Sequence, residues 1–492
     1  MVQLRDFQST LVDRLGSPDL LGRLVGDEMG LGKTYEALAI EARLRLANPA
    51  RRNVKRRTLI IAPWSVHDMW RSKIREFMGP LTTIAVVDRK NRTPFVNAVL
   101  DGQHDYYIVH YEALRLRGME VLKSVSWFHV IADEIQRIKN PKAAQTRAFR
   151  KLKARYKTGL SGSMADDKPQ DMWMPLHWAQ PGLFPSGGVK NPLKRFRDDW
   201  CLTEEVEGRW IGTNSQGDPI HETYQQIVGL DPTKKDRFHA TIAPFFMRRL
   251  KKDVLDDLPD KYSTVINVTL SPKQMRIYEQ LRKEFQTWIG ENEDQPLQLK
   301  RGQWFSRLTR LQQAALAYLT WEDTGKIDPA TKQPIKKVKL IEPSAKLDQL
   351  VDFMKDVTTR VVIFSNSRGM IGLVEDRLSK EGLLVGTYMG MMNEQVRVGN
   401  LRDFQAGKLD VFASTIKAGG EGIDLTTAST VMFLDRTWSP FRNLQAEDRC
   451  HRIGQKNAVE VVDFYANRTV DAKVRDVNID KWAKLKELLG DE

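Results

Sequence analysis

The sequence predicts an α/β protein made of two doubly wound parallel-sheet lobes, with helical insertions between them and a C-terminal helix that braces them. Three observations carry this expectation. A glycine-rich stretch, DEMGLGKT (27–34), sits between a short apolar run and a helical pattern. A first series of short β-rich apolar runs follows it, separated by helical stretches. A second series of the same texture appears only after residue 359.

Taken in order, GRLVG (22–26) reads as a buried strand and YEALAIEARLRLA (35–47) as a helix, its apolar residues at helical spacing. TLIIAP (58–63), TIAVVD (83–88), YYIVHY (106–111) and FHVIAD (128–133) read as strands of the first sheet. The texture then changes. The stretch 181–192 is rich in Pro and Gly, 271–319 reads as long helices starting at an N-cap Ser271, and 326–346 is a polar, Lys-rich connector. RVVIFS (360–365), DVFAST (410–415), TVMFLD (430–435) and VEVVDFYA (459–466) supply the second sheet, and VRDVNIDKWAKLKELLG (474–490) closes the chain as a helix. The expected domains are a first lobe over 1–182, a helical insertion and inter-lobe linker over 183–262, a helical insertion of the second lobe over 263–345, and the second lobe with its brace helix over 346–492.

The chain has 492 residues and a formal charge of +14. Its pI is near 9.5, which points to a polyanionic partner, nucleic acid first. The basic stretches 43–57 and 142–157 contain no acidic residue, although either is equally readable as solvated surface. Cys201 and Cys450 stand far apart and the eight His are scattered, so neither a disulfide framework nor a zinc module is indicated. The start has no apolar signal core, and no apolar run approaches the roughly 20 residues that span a bilayer.

In the stretch 27–34, the turn through Gly30 and Gly32 can wrap N–H groups around phosphates. Lys33 places an ammonium on the β/γ oxygens, and Thr34 offers a hydroxyl to magnesium. The pattern G-x4-G-K-[ST] is not strictly met, because Asp27 occupies the first glycine position. In IADEIQRIKN (131–140), Asp133 and Glu134 close an apolar strand, where a doubly wound sheet presents its ligand-contacting groups. One carboxylate would hold magnesium, and Glu134 would orient or deprotonate the attacking water. In QAEDRCHRIGQ (445–455), Arg449 and Arg452 stand three apart, so on a helix both emerge from one face and reach a shared phosphate.

These segments, with LIIAPWSVHDMW, VHYEAL, GLSGSMADDKPQDMW, FMRRLKKDVLDDLPDK and STIKAGGEGIDLTTAS, occur in the order found in Swi/Snf-type DNA translocases of helicase superfamily two, and the chain resembles that family over nearly its whole length. The resemblance implies two RecA-like lobes with ATP and Mg2+ between them. It implies that Gln8 reads adenine, that Asp27, Glu28, Met29, Gly30, Leu31, Gly32, Lys33 and Thr34 form the nucleotide loop, and that Thr34 and Asp133 hold the metal. Glu134 becomes the hydrolytic carboxylate, Gly422 and Asp424 second-lobe nucleotide contacts, and Arg449 and Arg452 arginine fingers. Trp64, Tyr111, Asn366 and Thr415 fall in motifs that track the DNA backbone, while Trp64 alone is equally readable as a packed aromatic at a strand end.

Two departures bear on coupling. Gln136 stands where the family has histidine, and the third motif carries Met164, Asp166 and Asp167 in place of proline and amides. The expected activity is nucleic-acid-stimulated ATP hydrolysis that drives movement along duplex DNA. A strand-separating DNA or RNA helicase and a nucleotide-gated DNA clamp are the alternatives. The expected setting is a monomer in a bacterial or phage-infected cytoplasm, associated with DNA, off the membrane, and targeted by protein partners.

Overall fold

The computed structural model describes residues 3–49, 56–88, 90–165, 168–184, 191–213, 219–291, 297–327, 334–420 and 422–491. Asp166 and Asp167 lie outside them. The chain divides into two compact units. One holds 1–204, 226–257 and 482–492; the other holds 205–225 and 258–481.

The first unit is built on a seven-stranded sheet, every pairing parallel. Its order is Ile84–Val86, Tyr106–Val109, Thr58–Ile61, Ser126–Asp133, Lys153–Leu160, Gly22–Val25 and Phe246–Met247. Successive strand residues serve opposite faces. Leu59, Ile61, Tyr107 and Val109 join one apolar cluster, and Ile60, Tyr106 and Ile108 join the other. Burial on both faces is why these strands appear in the sequence as unbroken apolar runs rather than as alternation.

The second unit has a six-stranded parallel sheet ordered Lys261–Val268, Val459–Ala466, Thr430–Phe433, Val361–Ser365, Val411–Thr415 and Val385–Tyr388. It is again sandwiched between two apolar clusters. The helices Pro272–Glu291 and Leu297–Leu316 pack a separate core around Tyr278, Phe285, Trp288 and Leu311. The hydroxyl of Ser271 accepts from Gln274 N–H at 3.2 Å, the expected N-cap.

Several expectations need correcting. Residues 183–262 and 263–345 are not purely helical, since each contains a two-stranded sheet: Cys201–Thr213 with Pro219–Leu230, and Tyr318–Ile327 antiparallel to Pro334–Ile341. The Lys-rich connector is therefore partly sheet, with Lys337 opposite Glu322 and Lys339 opposite Thr320, a charged outer row that reads as a linker when composition alone is considered. The basic stretch 142–157 runs into a strand whose outward residues are the cations.

Candidate nucleotide site

Adjacent strands of the first sheet bring the candidate residues together at their C-terminal ends. Gly22–Val25 delivers the loop 27–34, its neighbour Lys153–Leu160 delivers Ser161, Gly162 and Ser163, and the next, Ser126–Asp133, delivers Asp133 and Glu134. Gly30 and Gly32 both have φ +89, a conformation that excludes side chains at little cost only for glycine. Gly32 caps the helix Lys33–Ala47, and no side chain caps that N-terminus, leaving its positive dipole end available to an anion.

Lys33 Nζ donates to the carbonyls of Asp27 at 2.7 Å and Glu28 at 3.2 Å. Burial lowers its pKa, opposed by the carboxylates of Glu134, Asp27, Glu36 and Asp133. Gln8 is buried against the loop: its Nε2 donates to Leu31 O at 3.0 Å, and its Oε1 accepts from Arg5 N–H at 3.1 Å. A Cβ on Gly162 would lie 2.6 Å from Met29 Cγ and 3.6 Å from Lys33 Nζ, so the Ser161–Ser163 turn packs directly against the side chains of the loop. This glycine-lined cradle, with a lysine and an uncapped helix end, fits a nucleotide phosphate.

The acidic pair is firmly held. Trp70 Nε1 donates to Asp133 Oδ2 at 2.9 Å, and Glu134 N–H donates to Asp133 Oδ1 at 3.0 Å. Glu134 itself sits at φ 53, ψ 52, left-handed backbone that a non-glycine residue adopts at a cost of about 1–3 kcal/mol and that clusters at functional sites. The Gln136 amide bridges two motifs: Nε2 donates to the Glu134 carboxylate, and Oε1 accepts from Ser161 Oγ at 2.7 Å. The glutamine that replaces histidine thus keeps a physical link from the acidic pair to the third motif. Met164 is fully buried in the core.

The segment after Phe246–Met247 completes the loop from outside. Met247 O accepts from Gly26 N–H at 2.7 Å, and Arg249 O accepts from Glu28 N–H at 2.9 Å. The Arg249 guanidinium holds both the Asp27 carboxylate and Glu36 Oε1, the latter at 2.7 Å, and its cation lies 4.9 Å from the Phe7 ring centre. Asp27 and Glu36 are both fully buried. Burial and the neighbouring Asp27 push the Glu36 carboxyl well above its usual range, against the pull of Arg249. Asp27 is therefore the loop's anchor, which accounts for its place where a glycine is usual. Glu36 and Arg249 went unmarked in the sequence reading. Their signals were an acid within the apolar pattern of 35–47 and the paired arginines of MRRLKKDV, read there as a linker.

In the second unit the Arg449 guanidinium donates to Gly420 O at 2.6 and 3.0 Å, and Leu425 N–H donates to Arg449 O at 3.0 Å. This places Arg449 beside the loop carrying Gly422, at φ 72, and Asp424. The Asp424 carboxylate caps Thr426, accepting from its N–H at 3.0 Å and its hydroxyl at 2.8 Å. The helical argument for the two arginines is corrected here: the helix is Pro440–Glu447, and both lie in the turns beyond it. Arg452 Nε is buried without a hydrogen-bond partner among the described residues.

The residues expected to track DNA divide. Asn366 is exposed, its N–H bonded to Asp435 Oδ1 at 2.9 Å, and Thr415 is buried. Trp64 is partly buried, packed edge-on against His110 with ring centres 5.4 Å apart. Tyr111 is fully buried, and its hydroxyl donates to Asp133 O at 2.7 Å. Its side chain props the acidic pair from below, so the surface contact expected of Tyr111 is not available to it in this conformation. Among the described residues no helix is long and apolar enough to cross a membrane.

Two parallel sheets, one carrying a phosphate loop, an acidic pair and a bridging third motif, define a phosphate-loop protein of helicase type. The chain belongs to the SNF2-related family: the SNF2-related domain matches residues 13–316, and the helicase conserved C-terminal domain matches 344–454. It is 28% identical over 459 residues to the transcription regulatory protein SNF2 of Saccharomyces cerevisiae, covering 92% of this chain and 25% of that one. It is 27% identical over 485 residues to the ISWI chromatin-remodeling complex ATPase CHR17 of Arabidopsis thaliana, covering 96% and 41%. The chain thus spans well under half the length of these relatives. A Sulfolobus solfataricus SWI2/SNF2 ATPase core, solved in complex with dsDNA, aligns over 99% of this chain and 97% of its own at 23% identity, with a TM-score of 0.42.

Proposed function

We propose that the chain is an ATP-driven motor that hydrolyses ATP and moves along duplex DNA. The observation that carries this reading is the convergence of Lys33, Asp133, Glu134, Gln136 and Ser161 on one end of one sheet. The loop 27–34 binds the phosphates, and Gln8 sets the edge of the base site. Thr34 and Asp133 are the residues that would hold Mg2+, which supplies charge neutralisation across the β- and γ-phosphates. Glu134 orients a water for attack on the γ-phosphorus and accepts its proton, and ADP leaves with the β–γ bridging oxygen. Arg449 and Arg452 neutralise charge developing on the γ-phosphate, and Gly422 and Asp424 complete the second unit's nucleotide contacts.

The Glu134–Gln136–Ser161 chain gives hydrolysis a route to the third motif, which favours a motor over a clamp that barely turns over. Duplex DNA is the partner supported by the +14 charge and by the family. Trp64 and Asn366 are its proposed backbone contacts, Thr415 being buried like Tyr111, with further proteins supplying targeting. The bacterial or phage-infected cytoplasm belongs to the same proposal, supported by the free, buried thiols of Cys201 and Cys450, which suit a reducing compartment.

The test is ATP hydrolysis without nucleic acid and with single-stranded DNA, duplex DNA or RNA, each at two salt concentrations. Duplex stimulation that weakens at higher salt and vanishes in Lys33→Ala and Glu134→Gln is the expected result. Preference for single strands or RNA replaces the translocase with an unwinding enzyme, and unchanged turnover in Glu134→Gln removes that residue from its role.

A further inference from the structure

Arg248 is placed by the same outer segment as Arg249 but faces a different set of groups. Its Nη1 donates to Gly26 O at 2.7 Å and to Gly162 O at 3.0 Å. Gly26 is the residue immediately before the loop, and Gly162 is the turn that approaches Lys33. The other edge of the guanidinium is used in full: Nε and Nη2 donate to the two oxygens of Asp491, both at 2.6 Å. Both side chains are only 6% exposed. Asp491 is itself seated. Its N–H donates to Lys486 O at 2.9 Å, Leu488 O shares a hydrogen bond with His239 Nε2 at 2.9 Å, and Leu485, Leu488 and Leu489 are buried in the first unit's core.

We propose that Arg248 and Asp491 form a positioning clamp for the nucleotide site, so that nucleotide affinity depends on the docked end of the helix Val470–Leu489 and the two residues after it. This rests on the nucleotide-site reading above. The planar fork of arginine holds two carbonyls from two motifs on one edge and a carboxylate on the other, which a lysine cannot reproduce. The two carbonyls belong to the walls of the cradle, and their spacing sets how closely Gly162 approaches Met29 and Lys33. With the carboxylate removed, a buried guanidinium is left half-paired and turns away from the carbonyls toward water. The cradle then widens without loss of any residue that touches nucleotide. Displacing this helix end has the same effect, which makes it a control point remote in sequence from the loop.

The test is the dissociation constant of a fluorescent ADP analogue with magnesium, together with KM and kcat for ATP and the melting temperature, for wild type, Asp491→Asn, Asp491→Glu and Arg248→Lys. Loss of one charge-assisted pair predicts about a tenfold rise in dissociation constant and KM for Asp491→Asn and Arg248→Lys, a smaller fall in kcat, and partial rescue in Asp491→Glu. Affinity within twofold of wild type in both variants overturns the clamp, as does a lowered melting temperature with unchanged affinity, which marks a purely structural pair. If Asp491→Asn does not fold, Arg248→Lys carries the same expectation. A wild-type chain that binds no nucleotide overturns the nucleotide-site reading and the clamp with it, whereas normal wild-type binding with unaltered variants overturns the clamp alone.

Discussion

The two units hold their charged site residues in opposite ways. In the first, Asp27 and Glu36 are neutralised by Arg249, a cation more than 200 positions away in sequence, and the acidic pair is pinned by Trp70, Tyr111 and Gln136. In the second, Arg449 rests on a backbone carbonyl, Asp424 on its own turn, and Arg452 Nε has no hydrogen-bond partner among the described residues. One site is locked by side-chain ion pairs in a dry interior. The other is held largely through backbone groups. The proposed nucleotide-gated cycle requires contacts that change with the γ-phosphate, because only those can bias a conformational equilibrium.

The contrast breaks most visibly at Arg452. Arg452→Ala is expected to lower kcat by about 10³ or more with little change in stability, read from single-turnover hydrolysis and thermal melting. A large stability loss with kcat intact reverses the comparison. Arg249→Ala is the complementary case. It leaves two buried carboxyls without their cation and costs about 4 kcal/mol of first-unit stability, measured by denaturant unfolding. A cost below about 1 kcal/mol shows that Arg249 is not the lock.

Acidity sharpens the difference because the units respond with opposite sign. In the first unit Glu41 is fully buried. Burial raises its pKa, but His129, Arg45 and the Thr58 hydroxyl outweigh that and hold it at about 2. Burial lowers the pKa of His129, opposed by the Glu41 carboxylate its ring contacts, and Arg45 makes a second bond to the same carboxylate. A depressed carboxyl contributes stability that is present above its ordinary pKa of 4.5 and lost as pH falls through about 2. In the second unit burial pushes Asp435 up to about 6, partly offset by the Ser365 hydroxyl, Lys346 and Asn366 N–H. A raised carboxyl contributes stability that is present below 3.8 and lost as pH rises through about 6. Each effect is about 3 kcal/mol at its limit. Unfolding followed from pH 3 to 7 should flatten at the acid end in Glu41→Gln and between about 4 and 6 in Asp435→Asn. Identical profiles in all three proteins refute the assignment.

The smallest effect tests the bridge inside the first unit. Gln136→Ala removes the link between Glu134 and Ser161 and is expected to lower DNA-stimulated turnover about tenfold, with basal turnover falling less. Equal loss of both rates means the amide orients Glu134 without relaying anything.

Much of the fold was legible because parallel strands buried on both faces appear as apolar runs: Thr58–Ile61, Tyr106–Val109 and Val361–Ser365 all lie within the runs expected. Strands made by tertiary context were not. Lys153–Leu160 carries three cations and a glycine, and Phe246–Met247 is two residues long, yet these flank the loop strand and complete the site. The loop and the acidic pair were legible because their chemistry is tied to local spacing. Arg248, Arg249 and Glu36 were not, since a buried ion pair between remote segments leaves no periodic trace. The helix expected beneath Arg449 and Arg452 ends at Glu447, where the chain turns so that Arg449 meets Gly420.

The outer segment that completes the loop also has a meaning for synthesis. Asp27 and Glu36 leave the ribosome long before Arg249 does. Through that interval the Asp27 and Glu36 carboxyls lack the guanidinium that bonds both of them in the folded unit, and Glu28 N–H lacks its acceptor on Arg249. The loop's surroundings therefore mature late, only when residues 245–251 arrive to seal them.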